Sequence, residues 1–206
     1  MGKKSTAFVI GNGTSRLRFN LEGLKEYGKT YACNAIYRDF IPDQLFAVDS
    51  KMIKEFSLNE VYKKTEIWVN DSNAANVEHK EGLNFLTGEL KKGTGCGFTA
   101  LLKALQDGNS TIYMIGYDLH PIDERPYQYF NNVYANTEGY KGDRDTPPSN
   151  DRYIPKLCRI LNDHPEVKFI RAYDIETAYI PDEWISPKNI THISNVELAE
   201  ELNVQS

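Results

Sequence analysis

At 206 residues, with 40% hydrophobic and 26% charged residues, the chain has the size of one domain and the composition of a folded one, which excludes a disordered polymer. A net charge of −5 excludes a global basic field for nucleic acid or an anionic membrane, and no apolar run approaches the ~20 residues of a membrane span. Three cysteines are too few for a disulfide framework, and Lys3 and Lys4 with a short apolar run do not make a signal peptide, so a reducing, cytoplasmic setting is expected.

Ala7-Phe8-Val9-Ile10 reads as a buried strand that runs into the tight loop Gly11-Asn12-Gly13-Thr14-Ser15. Leu21 to Glu26 is a weak helical turn. Thr30 to Cys33 and Leu45 to Val48 read as the second and third strands, and Ser50 can cap a short helix through Phe56. Glu66 to Val69 is a fourth strand, followed by the polar cluster Asn70 to Asn73. Residues 71–92 show no periodicity that selects helix or strand.

Gly93-Thr94-Gly95-Cys96-Gly97 then opens a helix whose apolar positions Phe98, Leu101, Leu102 and Leu105 follow the i, i+3, i+4, i+7 spacing. Thr111 to Ile115 is a fifth strand, ending at Gly116-Tyr117-Asp118. Residues 119–150 form a long loop. Six of the 13 tyrosines (Tyr117, Tyr127, Tyr129, Tyr134, Tyr140, Tyr153) crowd around it. Even spreading would put about 2 in such a window. Aromatic content of this kind predicts a lid rather than disorder. A helix is expected over Asp151 to Leu161, a sixth strand over Val167 to Ile170, and a capping box at Ser194 and Glu197 before a last helix, Leu198 to Leu202.

Strands alternating with helices predict an α/β fold: one Rossmann-like domain over residues 1–206, a mostly parallel sheet, helices on both faces, and a tyrosine-rich lid at 119–150. In such sheets ligands bind beyond the carboxyl ends of the strands. The candidate binding residues all follow strands: Gly11, Asn12, Gly13 and Ser15 after the first, Asn34 after the second, Asp49 after the third, Asp118 and His120 after the fifth.

The Gly11-Asn12-Gly13 loop suits close approach of backbone N–H groups to a ligand, or a plain turn. It lacks the lysine of a Walker loop and the third glycine of the dinucleotide fingerprint. Thr94 and Gly95 before a helix suit a phosphate or sugar carboxylate, or a flexible entry to a packed helix. Cys96 reads as a reactive thiol or as buried filler, and no cysteine or histidine spacing suggests a metal site. His120 can serve as a general base or be a loop histidine. Tyrosines offer hydrogen bonds to a phosphate, rings for stacking, or an aromatic mini-core for the lid.

Four segments in register resemble the bacterial sialyltransferases of the glycosyltransferase-42 group: Val9-Ile10-Gly11-Asn12-Gly13-Thr14-Ser15, Cys33-Asn34-Ala35-Ile36-Tyr37, Thr94-Gly95 with its helix, and Ile112 to Asp118. The likeness runs over residues 5–170. More loosely, they resemble short sialyltransferase-like and pterin-pyrophosphokinase-like proteins of bacteria and phages. The resemblance implies a nucleotide-sugar donor, no metal and no further cofactor; the donor is expected to be CMP- or UDP-linked. It implies that Asn12 and Asn34 hold the nucleotide, that Thr94 and Gly95 contact donor sugar or phosphate, and that Asp118 binds ribose or supports the site.

Two positions depart from the family. His120 stands where the family has a tyrosine. In Arg152-Tyr153-Ile154-Pro155-Lys156 the tyrosine matches, but Lys156 replaces the family's base histidine. The catalytic candidates are therefore His120, Tyr153 and Lys156, with Asp151 as a further base. Arg152 and Lys156 also suit a pyrophosphate. The acceptor implied is a hydroxyl of a glycan or of a hydroxylated base in phage DNA. The alternatives are a Mg²⁺-dependent pyrophosphokinase-like phosphoryl transferase and a non-catalytic nucleotide-binding module. Nothing in the sequence fixes the oligomeric state.

Overall fold

Runs that are apolar at every position, such as Phe8-Val9-Ile10 and Leu45-Phe46-Ala47, are satisfied only in a sheet covered on both faces. All six of these residues are fully buried. The computed structural model describes residues 5–75, 77–78, 80–91, 95–118, 131–140, 150–174 and 180–204. His120, Thr94, Tyr127, Tyr129, the other lid residues at 119–130 and 141–149, and the side chain of Asp151 lie outside the described residues.

The elements follow in the order β1 (Thr6–Ile10), β2 (Lys29–Cys33), β3 (Gln44–Ala47), α1 (Ser50–Leu58), β4 (Glu66–Val69), α2 (Asp71–Ala74), β5 (Leu83–Phe85) and α3 (Gly88–Lys91). After these come α4 (Cys96–Gln106), β6 (Thr111–Ile115), α5 (Asn150–Asp163), β7 (Lys168–Tyr173), α6 (Asp182–Ile185), β8 (Ile190–Ser194) and α7 (Asn195–Glu201). Short 3-10 turns cover Thr14–Arg18, Glu22–Glu26 and Asn34–Arg38. The eight strands form one sheet in the order β5-β4-β3-β2-β1-β6-β7-β8, and every pairing is parallel.

The pleat sends alternate residues of β1 to opposite faces. Phe8 and Ile10 join one core, with Met52, Ile53 and Phe56 of α1 and Leu198 of α7. Ala7 and Val9 join the other, with Phe98, Leu101 and Ala104 of α4 and Leu157, Ile160 and Leu161 of α5. The expected capping box forms at α7: Ser194 Oγ accepts from the Glu197 amide at 3.2 Å, and the Ser194 amide donates to Glu197 Oε2 at 3.1 Å.

The sheet is wholly parallel rather than mostly so, and it has two strands beyond the six expected. β5 and β8 are its edges. An edge strand needs fewer apolar residues, because one side has no neighbour to bury it. In β5 the middle residue is Asn84, whose Nδ2 donates to the Ile67 carbonyl at 3.1 Å. In β8, Thr191 and His192 interrupt the apolar pattern, and the His192 imidazole Nε2 lies 3.2 Å from the Trp184 carbonyl. Among the described residues no helix is long and apolar enough to cross a membrane.

Candidate functional site

The chain builds the sheet outward from β1 through β2, β3 and β4 to β5, then returns to place β6 on the other side of β1. Loops after β1 and β6 therefore leave in opposite directions, and a crevice opens between them at their carboxyl ends. A cavity occupies this position. Gly11, Asn12 and Gly13 after β1, Asn34 after β2, and Gly116, Tyr117 and Asp118 after β6 form its floor and sides. The first turn of α4, from Gly95 to Phe98, forms another side, and Asn131, Asn132, Tyr140, Tyr153 and Trp184 complete the wall.

The two loops are pressed together. The Gly11 amide donates to the Ile115 carbonyl at 2.8 Å, and the Gly13 amide to the Gly116 carbonyl at 3.0 Å. Asp118 then locks the β1 loop, because Ser15 donates to it twice, from the amide at 2.9 Å and from Oγ at 2.6 Å. Ser15 thus stands behind the wall, and Asp118 supports the loop from within it.

Asn12 is 7% exposed; its Nδ2 donates to the Cys33 carbonyl at 3.0 Å, while its Oδ1 has no partner among the described residues. Asn34 adopts the left-handed region, at φ 56°. Cys96 Sγ donates to Asn34 Oδ1 at 3.1 Å, and the Asn34 side chain also hydrogen-bonds the Tyr140 hydroxyl. Burial pushes the Cys33 thiol up to about 12 and Cys96 well above the usual thiol range. Burial therefore favours the neutral form of both thiols.

Helix α4 is entered through Gly95, and among the described residues no side chain caps it. Its first-turn residues, Gly95 to Phe98, line the cavity, which sets the positive end of the helix dipole beside it, an arrangement suited to an anion. Tyr117 fixes this turn by donating to the Gly97 carbonyl at 2.5 Å. Tyr153 packs against Phe98, with ring centroids 5.4 Å apart. Lys156 sits behind Phe98, its Nζ 4.9 Å from that ring centroid, and burial with the nearby Arg159 holds its ammonium below the usual lysine range.

Segment 131–140 of the expected lid is fastened to the β1 loop. Asn131 Oδ1 accepts from the amide and the hydroxyl of Thr14, both at 2.9 Å, and the Val133 amide donates to the Asn12 carbonyl at 2.8 Å. Beneath it, Arg16, 2% exposed, donates from Nη2 to the Tyr134 hydroxyl at 2.6 Å and to Asp39 at 2.9 Å, and that hydroxyl donates to Asp39 in a short contact. Tyr134→Phe keeps the shape but strips a partner from a buried cation and from a carboxylate. An expected cost of about 2 kcal/mol follows, which a thermal melt reads as a drop of roughly 4–8 °C. An unchanged melting temperature would show that this anchor does not hold the segment.

The cavity gathers Gly11, Asn12, Gly13, Asn34, Gly95, Asp118 and Tyr153 of the residues singled out in the sequence. It does not gather Asp49, which is exposed at the N-terminus of α1, or Arg152, exposed on α5. The cluster Asn70 to Asn73 serves α2, where Asn70 Oδ1 accepts from the Ser72 amide at 3.1 Å. Sequence reasoning missed Asn131, Asn132 and Trp184, and named Tyr117 and Tyr140 only as members of the tyrosine cluster. Trp184 carries no local signal, since α6 reaches the cavity from far along the chain. Asn131 and Asn132 follow Phe130 as a polar pair in the aromatic loop, a cue that was there to use.

No sequence-family model and no curated protein matches the chain. Solved structures do. A variant of the sialyltransferase CST-II in complex with CMP superposes with a TM-score of 0.60 at 13% identity, over 98% of this chain and 99% of that one. The sialyltransferase CstII from Campylobacter jejuni, in complex with cytidine-5'-monophosphate, gives a TM-score of 0.53 at 15% identity, over 95% of this chain and 88% of that one. The MAf glycosyltransferase from Magnetospirillum magneticum AMB-1 gives 0.58 at 15% identity, over 97% of this chain and 36% of that one. At such low identity the likeness is one of fold: this chain's single parallel sheet with helices around it is an α/β fold that matches these transferases.

Proposed function

We propose that the chain is a nucleotide-sugar-dependent glycosyltransferase, moving a sugar from a CMP-linked donor to a hydroxyl acceptor on a glycan or on a hydroxylated base of phage DNA. One observation carries this reading. The cavity at the β1/β6 crevice combines the Gly11-Asn12-Gly13 loop and Asn34 with the N-terminus of α4, which no side chain among the described residues caps, and the Tyr153 ring. Amides there suit ribose and base, and N–H groups at the helix end suit a phosphate.

The only charged side chain among the described lining residues is Asp118, and Ser15 already bonds both of its oxygens. Neutral donors match a singly charged phosphodiester better than a diphosphate, which favours CMP-linked over UDP-linked donors.

In the reaction the acceptor oxygen bonds to the anomeric carbon while the bond from that carbon to the phosphate oxygen breaks. The electron pair leaves with the phosphate. His120 takes the acceptor's proton. The Tyr153 hydroxyl donates to the leaving phosphate, and Lys156 adds positive charge behind Phe98.

The test is release of free CMP from CMP-sugar donors, preceded by thermal-shift screening with CMP, UMP and their sugars. Donor turnover that survives EDTA is expected. Tyr153→Phe is expected to lower kcat about tenfold with little change in KM, since its bond forms fully only as charge develops. Inhibition by EDTA that Mg²⁺ restores would favour the phosphoryl-transferase alternative. Nucleotide binding without turnover of any donor would leave a binding module.

A further inference from the structure

Arg171 is 1% exposed, on β7, in register with Met114 of β6 and His192 of β8. Its Nε donates to the Tyr117 carbonyl at 3.2 Å, and its guanidinium lies 5.0 Å from the Trp184 ring centroid. Tyr117 and Trp184 both line the cavity, whereas Arg171 does not. Burial pushes the guanidinium down to about 10, and the negative charge of Asp118, also in the wall, opposes that shift. It therefore stays charged at neutral pH.

A charge withdrawn this far from water is costly to keep, and it acts over longer distances than one at the surface. The described lining residues supply no cationic side chain of their own. Asp118 is engaged by Ser15, so it offers the cavity little further hydrogen bonding.

We propose that Arg171 is a positioning residue that gives the cavity its preference for anions: it fixes the Tyr117 turn and the Trp184 wall and sets a positive potential behind them. A ligand carrying a phosphate is then held in preference to the same ligand without one. This rests on the cavity being the nucleotide site.

The experiment compares CMP with cytidine by titration calorimetry on the full chain, for the wild type, Arg171→Gln and Arg171→Lys. The ratio of the two dissociation constants is the readout. It is expected to fall about tenfold in Arg171→Gln, which is about 1.4 kcal/mol of phosphate selectivity, and to stay within about twofold in Arg171→Lys, which keeps the charge. A merely structural role would weaken both ligands alike and leave the ratio unmoved, and that result overturns the proposal. A ratio that collapses in a folded Arg171→Lys variant also overturns it, and this arm decides alone if Arg171→Gln does not fold. A wild type that binds neither ligand overturns the transferase reading and this inference with it, whereas binding with an unmoved ratio overturns the inference only.

Discussion

Gly11→Ala is expected to abolish nucleotide binding and to lower the melting temperature by roughly 5–10 °C, corresponding to about 2–3 kcal/mol of overpacking. A Cβ at Gly11 would sit 2.4 Å from the Gly116 carbonyl oxygen and 3.1 Å from its carbon. Both are backbone atoms, so no side chain can swing aside. The β1 and β6 loops would have to part. Parting breaks the bonds from the Gly11 amide to the Ile115 carbonyl and from the Gly13 amide to the Gly116 carbonyl. It also moves Ser15 away from Asp118, so the floor of the cavity is lost with the contact. Gly108→Ala provides the comparison. Gly108 has φ +81° but nothing within 4 Å of its would-be Cβ. Its substitution costs about 1 kcal/mol of backbone strain and leaves nucleotide binding intact. Titration with CMP and thermal melts of both variants make the check. A Gly11→Ala chain that binds CMP like the wild type would show that the two loops need not touch for the site to form.

The contrast between these glycines also explains what was legible in the sequence. Strands buried on both sides, such as Phe8-Val9-Ile10 and Ile112 to Ile115, announce themselves, because hydrophobic burial selects every residue in them. The edges, Leu83-Asn84-Phe85 and Ile190 to Ser194, do not. There polar side chains, Asn84 in β5 and Thr191 and His192 in β8, meet solvent or a neighbouring carbonyl at little cost. The rule that ligands sit beyond strand ends pointed to Asn12, Asn34 and Asp118, and it pointed equally to Asp49. Only the strand order separates them: β3 lies two strands from the β1/β6 crevice, and no local pattern encodes that order. Contacts across long chain separations were likewise hidden. Ser15 and Asp118 are 103 residues apart, and Arg16 and Tyr134 are 118 apart. Each of these side chains looks ordinary until the sheet brings its partner to it.

Asn34 separates backbone strain from ligand contact, and two substitutions there are expected to diverge in stability while agreeing in binding. At φ 56° a side chain other than Asn, Asp or Gly costs about 1–2 kcal/mol, because Cβ crowds the following carbonyl. Asn34→Ala incurs that strain and also loses the bonds to Cys96 and Tyr140. Asn34→Gly loses the same bonds but relaxes the backbone. The glycine variant is therefore expected to melt within a few degrees of the wild type, and the alanine variant roughly 4–8 °C lower. Both are expected to bind CMP about a hundredfold more weakly, because neither presents an amide to the cavity and the Tyr140 hydroxyl, which burial pushes up to about 12, loses its bond to Asn34. Calorimetric titration with CMP beside thermal melts distinguishes the outcomes. If affinity follows stability, with Gly near the wild type and Ala weak, Asn34 shapes the turn only. If both lose affinity while Gly keeps its stability, the left-handed turn exists to present the amide, which accounts for an asparagine where glycine would fold as well.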